Sequence, residues 1–227
     1  MMIIEQIFLL AINDKSKKIF FDWEDFLFYS AIMMDLVLQN KISIKKDQRE
    51  RKSTMTRLRV EVLNKDSTDN TILDKMLQFI EIKSEKDTFI DLLTEFVKRS
   101  NYSDFREIII SNLESLGFIK YLGKKRLKRR YQVTKPALKT KILDEINAVL
   151  LDNQEPTKEL IYLLSLLRIE HNLPKIIPKK FLMIAGERIV KLAESEPIGW
   201  HLQGVIDRMN QTAEDFAEDF ADNLYDM

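Results

Sequence analysis

The sequence predicts a mainly α-helical protein: a single domain over residues 1–227, with a hydrophobic central helix wrapped by amphipathic ones. Small β elements complete it, among them a protruding basic β-hairpin. Three observations carry this prediction. Only five glycines and five prolines interrupt 227 residues, so long helices have room to run. Residues 23–39 (WEDFLFYSAIMMDLVLQ) are apolar around most of a helical circumference, which marks a helix surrounded by others. Most remaining segments place apolar residues three and four apart, the spacing of one helical face. With 45% hydrophobic content the chain can bury a substantial core, and its 32% charged fraction is ordinary for a helix-rich protein.

Residues 2–12 are apolar except at Glu5 and Gln6 and run into the turn signal Asn13-Asp14, so a short buried helix is expected there. The central helix follows over 23–39. After Asn40, ISI and later RLRVEVL alternate with period two and predict two strands, joined by a mobile basic loop at 45–54. Residues 71–82 and 86–98 read as amphipathic helices, with Ser84 and Asp87 as stop and cap. Asp104 to Leu116 forms another, stopped by Gly117 in the position that favours a left-handed residue. Strands are expected at 118–122 and 131–133. Pro136 to Leu151 opens with proline in its first turn and carries Leu138, Ile142, Leu143, Ile146 and Leu150 on one face. Pro156 to Glu170 repeats that arrangement, and helices over 179–195 and 198–225 close the chain.

Charge is uneven although the formal net charge is zero. Residues 41–59 hold eight basic and two acidic residues, whereas the acidic helix end at 213–227 holds six acids and no base. The chain has no cysteine, which excludes disulfides, thiolate metal sites and a cysteine nucleophile. His171 and His201 are the only histidines and lack acidic partners at ligand spacing, so neither a metal nor a cofactor is expected. No glycine-rich phosphate loop and no nucleophile elbow is present, and no enzymatic activity is expected. Apolar runs are too short to span a bilayer and the start lacks a basic leader, which predicts a cytoplasmic protein able to sit on a membrane surface.

The stretch 102–134 (YSDFREIIISNLESLGFIKYLGKKRLKRRYQVT) concentrates this chemistry. Between Lys120 and Arg130 it holds seven basic residues and no acid. Such a cluster favours solvent or a polyanion beside it. At roughly 1 kcal/mol per basic residue near an anionic membrane, about five engaged side chains hold a protein reversibly at the surface. Lys124, Lys125, Arg126, Lys128, Arg129 and Arg130 are the candidate phosphate contacts, and Leu122 and Leu127 candidate apolar anchors. The alternatives are a solvated tip, or a tip paired with acids of this or another molecule; the open strand edges also suit a homo-oligomer. Helix, glycine, strand, basic turn and strand equally resemble the recognition helix and wing of a winged-helix DNA-binding domain. That nucleic-acid reading ranks second. The recognition helix would expose Ser103, Asp104, Glu107, Ser111, Glu114 and Ser115 with Arg106 as its one basic residue, and its acids repel a phosphate backbone.

Five blocks together carry a family resemblance: IEQIFLLAINDKSKKIFF, DLVLQNKISI, the turn at 66–70 leading into TILDKML, NLESLGFIKY with RRYQVTKPALKTKI, and AVLLDNQEPTKELIYLLSLL. In order and spacing, over roughly residues 3–210, the chain resembles the Golgi phosphoprotein 3 family. The resemblance implies a helical fold with a protruding hairpin and a noncatalytic peripheral membrane protein. Such a protein binds phosphatidylinositol 4-phosphate and links membranes to protein cargo, at the Golgi where the source is eukaryotic. The family's lipid pocket uses a tryptophan and an arginine near the start of the central helix and two arginines three apart before the hairpin. Ungapped alignment puts Phe20 and Tyr29 at the first pair, and Ser103 and Arg106 at the second. A one-turn slip brings Trp23 to the aromatic position instead. With only Arg106 retained as a cation, the expected mode shifts from a headgroup pocket toward diffuse, salt-sensitive attraction.

Overall fold

The computed structural model describes residues 1–20, 24–46, 58–83, 88–89, 91–92, 95, 102–125, 128–168 and 172–195. Helix α1 (Ile3–Ala11) is buried along its whole length, so its N-terminal amides need partners from inside the protein. They come from α2 (Glu24–Leu38), the expected central helix: Asp35 accepts hydrogen bonds from Ile3 N at 2.8 Å and Ile4 N at 3.1 Å. Glu5 closes the same end by accepting from Met2 N at 2.9 Å. Phe8 stacks on Phe28, ring centroids 5.5 Å apart, which locks the two helices together.

The period-two segments form β1 (Ile42–Lys46) and β2 (Leu58–Val62), paired antiparallel with Ile42 opposite Val62 and Ile44 opposite Val60. Their inward residues Ile42, Ile44, Leu58 and Val60 are buried, while Lys45 and Glu61 pair on the water side at 2.5 Å. The turn after β2 caps α3 (Thr71–Lys83): Asn70 accepts from Ile72 N and Leu73 N, and Asp74 accepts from Thr68 N at 2.7 Å. Next come α4 (Tyr102–Ser115), β3 (Ile119–Lys125), β4 (Lys128–Val133) and α5 (Pro136–Leu150). The last described elements are α6 (Lys158–Leu167), α7 (Leu173–Ile176), a 3₁₀ turn (Lys179–Phe181) and α8 (Leu182–Ser195).

The protein is thus mainly helical, with two small two-stranded antiparallel sheets. One core cluster draws buried residues from every helix α1 to α8, with Leu9, Leu10, Ile32, Met33, Leu163 and Leu164 fully enclosed. Three local expectations change. α6 begins after Thr157, whose hydroxyl accepts from Leu160 N at 3.2 Å, because a side-chain cap stops the helix short of Pro156. β3 and β4 reach further into the basic segment than expected, since the ladder continues through charged residues, of which Lys124, Lys125 and Lys128 stay exposed. On α5 the buried face includes Lys139 and Val149, while Leu138 and Leu143 are only half-buried. Of the helix expected over 86–98, residues 88, 89, 91, 92 and 95 are described, and Phe89 and Leu92 are buried. The loop at 47–54, the helix over 198–225, the acidic end at 213–227 and both histidines lie outside the described residues.

Candidate functional site: a cation-sorted hairpin

The hairpin hangs from the end of α4. Gly117 takes φ +64°, so its N–H reaches Glu114 O at 2.9 Å and Phe118 N reaches Leu113 O at 2.9 Å, the paired closure that ends a helix on a left-handed glycine. The two strand ends are then tied together. Thr134 N donates to Phe118 O at 3.0 Å, and its hydroxyl donates to Gly117 O at 2.6 Å. Lys135 Nζ donates to Leu116 O at 3.1 Å and lies 5.0 Å from the centre of the Phe118 ring.

Tyr131 anchors the hairpin to the core. It is fully buried, packs edge-on to Phe8 with centroids 5.7 Å apart, and donates its N–H to Lys17 O at 2.6 Å. Across the ladder it pairs with Tyr121, whose N–H donates to Glu114 Oε1 at 2.6 Å. Burial raises the Tyr131 phenol above its ordinary value, against the opposing pull of the Arg106 and Arg129 guanidiniums beside it.

The register decides where each cation points. Tyr121 opposes Tyr131 and Lys124 opposes Arg129, so Leu122 and Gly123 together face the one residue Arg130 as a β-bulge, with Gly123 at φ +81°. Strand partners share a sheet face, and successive residues change face. Ile119, Tyr121, Lys124, Arg129, Tyr131 and Val133 therefore lie on the inner face. Lys120, Lys125, Lys128 and Arg130 lie on the outer one with Gln132. Among the described residues no carboxylate pairs with Lys120, Lys124, Lys125, Lys128 or Arg130.

The candidate residues therefore divide. Lys125, Lys128 and Arg130 share the outer face, while Lys124 is exposed at the edge of the inner one. Arg129 is drawn inward by an ion pair with Glu107 of α4, and that hydrogen bond raises its pKa further. Arg106 is half-buried under the hairpin beside Tyr131. Tyr29 is only 2% exposed and belongs to the core, so it offers no surface to a ligand. Phe20 is half-buried against that core and donates its N–H to Ala11 O at 2.9 Å. Ser103 falls in the first turn of α4, and Trp23, Arg126 and Leu127 lie outside the described residues. Of the positions that align with the family's lipid pocket, Arg106 alone is a cation. Lys120 was not singled out as a contact, although Gly123 inside a strand is the signal that could have revealed the bulge.

A concavity of about 420 Å³ lies between the start of α3 and the flank of α4, lined by Asn70, Ile72, Glu107, Ser111 and Ser115 among others. Its ionisable lining is acidic (Asp69 and Glu107), which does not suit a phosphate. Among the described residues, no His, Cys, Asp and Glu group could hold a metal ion, and no helix is long and apolar enough to cross a membrane.

A helical body around a buried central helix, carrying a basic β-hairpin, is the class of fold that the described residues define. Residues 3–210 match the family model described as Golgi phosphoprotein 3 (GPP34), and the chain belongs to that family. The family is one of non-enzymatic adaptors known as phosphatidylinositol 4-phosphate-binding peripheral proteins of the Golgi. No curated protein matches the chain.

Proposed function

We propose that this protein is a noncatalytic peripheral adaptor that attaches to anionic lipid surfaces through the outer face of its hairpin. One observation carries the reading: Lys120, Lys125, Lys128 and Arg130 are collected on one face with no carboxylate partner among the described residues. Arg126, between the two strands in sequence, is a further candidate contact, and Lys124 contributes from the inner face. Leu122, in the bulge and exposed, supplies a small apolar contact. Arg106 supports the hairpin from below. Because the side chains form a row rather than a cup, attachment depends on surface charge density and ionic strength more than on one headgroup. Phosphatidylinositol 4-phosphate binds as one anionic lipid among others, and a protein cargo completes the adaptor role.

The test is flotation with neutral, phosphatidylserine-containing and phosphoinositide-containing vesicles at two salt concentrations. Wild-type protein floats with both anionic vesicle types and detaches at high salt. At about 1 kcal/mol per cation, the triple variant Lys125→Gln, Lys128→Gln, Arg130→Gln partitions on the order of a hundredfold more weakly. Absence of binding to every anionic vesicle sinks the reading. A duplex-DNA gel shift in the same buffers tests the wing alternative; salt-sensitive DNA binding without lipid binding would reverse the order.

A further inference from the structure

The chain between α7 and α8 carries a second pairing of apolar and basic side chains, remote in sequence from the hairpin. Ile177 is buried and extended, Pro178 turns the chain, and the 3₁₀ turn leads directly into α8. Ala185, Ile189 and Leu192 form the inward stripe of α8. That periodicity leaves the opposite side of its first turn to water, where polar residues belong. Instead, Met183 is 75% exposed and Ile184 52% exposed. Lys179 and Lys180 precede them and are exposed, with Lys180 Nζ 4.7 Å from the centre of the Phe181 ring. Lys175 stands one short helix earlier, its Nζ on Asn172 Oδ1 at 3.2 Å. Single exposed aliphatics such as Ile82 are ordinary on protein surfaces. Two adjacent ones bordered by lysines are a different matter.

We propose that residues 179–184 form a second contact with anionic lipid, in which Met183 and Ile184 enter the membrane interface while Lys179 and Lys180 meet lipid phosphates. The proposal rests on the membrane reading above and adds a separate site to it. The residue types favour lipid over a protein partner. Protein interfaces are depleted in lysine and enriched in arginine and aromatics, whereas this segment offers lysines whose long stems let the ammonium stay at the headgroups while neighbouring side chains go deeper. Glu187 is the one acid in the exposed first half of α8, and Lys191 follows it. A second anchor also has a physical purpose, because one weak anchor gives marginal membrane residence and stable attachment takes two.

The chain contains no cysteine, so a single introduced thiol reports from one place. Full-length Ile184→Cys and, separately, Leu122→Cys are labelled with an environment-sensitive fluorophore and mixed with phosphatidylcholine vesicles with or without phosphatidylserine. The label at 184 shifts to the blue and is quenched by brominated lipid only when phosphatidylserine is present. In otherwise wild-type protein, Lys179→Gln and Lys180→Gln each weaken partitioning about fivefold. Met183→Ser with Ile184→Ser weakens it without altering the melting temperature, since both side chains lie outside the core. A label at 184 that stays in water while the one at 122 responds overturns this inference and leaves the hairpin reading standing. Failure of the unlabelled protein to bind any anionic vesicle overturns both. A shift at 184 that follows protein concentration without vesicles assigns the patch to a second copy of the chain, and likewise overturns it.

Discussion

Replacing Asp35 by asparagine separates two effects that act on the same buried carboxyl. As the cap of α1, an ionised carboxylate is favoured by Ile3 N, Ile4 N and the positive end of the helix. Burial opposes it and is the larger influence; with Glu5 and Glu159 adding their repulsion, it pushes the Asp35 pKa from 3.8 up to about 7. The sign follows. A carboxyl whose folded pKa lies above its unfolded one contributes stability that is complete below 3.8 and disappears as pH rises through about 7. The rate of loss is about 1.4 kcal/mol per pH unit inside that window. Asparagine does not titrate and keeps one acceptor, so it gives up one cap bond, about 1 kcal/mol, at every pH. Urea titrations of both proteins at pH 5, 6, 7 and 8 measure the difference, and Glu5 and other titrating groups common to both largely cancel. Wild type loses about 3 kcal/mol relative to Asp35→Asn between pH 5 and pH 8, and asparagine is the more stable at the alkaline end. A difference that does not change with pH refutes the argument. So does wild type gaining on the variant as pH rises, since the cap interactions would then outweigh burial.

Three further outcomes follow from the geometry. Gly117→Ala forces a β-carbon into the left-handed conformation and costs about 1 kcal/mol, read as a fall of a few degrees in melting temperature. Lys139→Met keeps the buried stem but removes the donor to Ile12 O at 2.5 Å and to Asp14 at 3.1 Å, and destabilises by about 1–3 kcal/mol in chemical denaturation. Because Arg129 is paired with Glu107 and Arg130 is not paired with a described carboxylate, Arg129→Gln lowers melting temperature more than Arg130→Gln does. In flotation the order is reversed.

Signals that act within a few residues were legible in the sequence. Gly117 announced the end of α4, the turn at 66–70 announced the start of α3, and alternation announced β1 and β2. Asp35 was not legible as a cap, because its two amides lie 32 and 31 residues away and a local window sees only a charge on an otherwise apolar helix. Lys139 misled for a related reason: its aliphatic stem lies against the core while its ammonium emerges at the turn after α1. At the hairpin, the sequence shows how many cations are present, and only the register shows which of them share a face. Tyr29 and Arg129 illustrate the limit from opposite sides. One aligns with a pocket position and is core, the other sits in a basic run and is held by Glu107.

The bulge at Leu122 and Gly123 gives the hairpin a tolerance that an even ladder lacks. The extra residue is absorbed between Tyr121 and Lys124, and beyond it Lys124 again meets Arg129 and Lys125 meets Lys128. Removing Gly123 would leave a regular ladder with those same partners, so the outward row survives a one-residue change in strand length. A deletion at that point is thus a silent change for the outward row of charge, because the pairs on both sides of the bulge keep their partners.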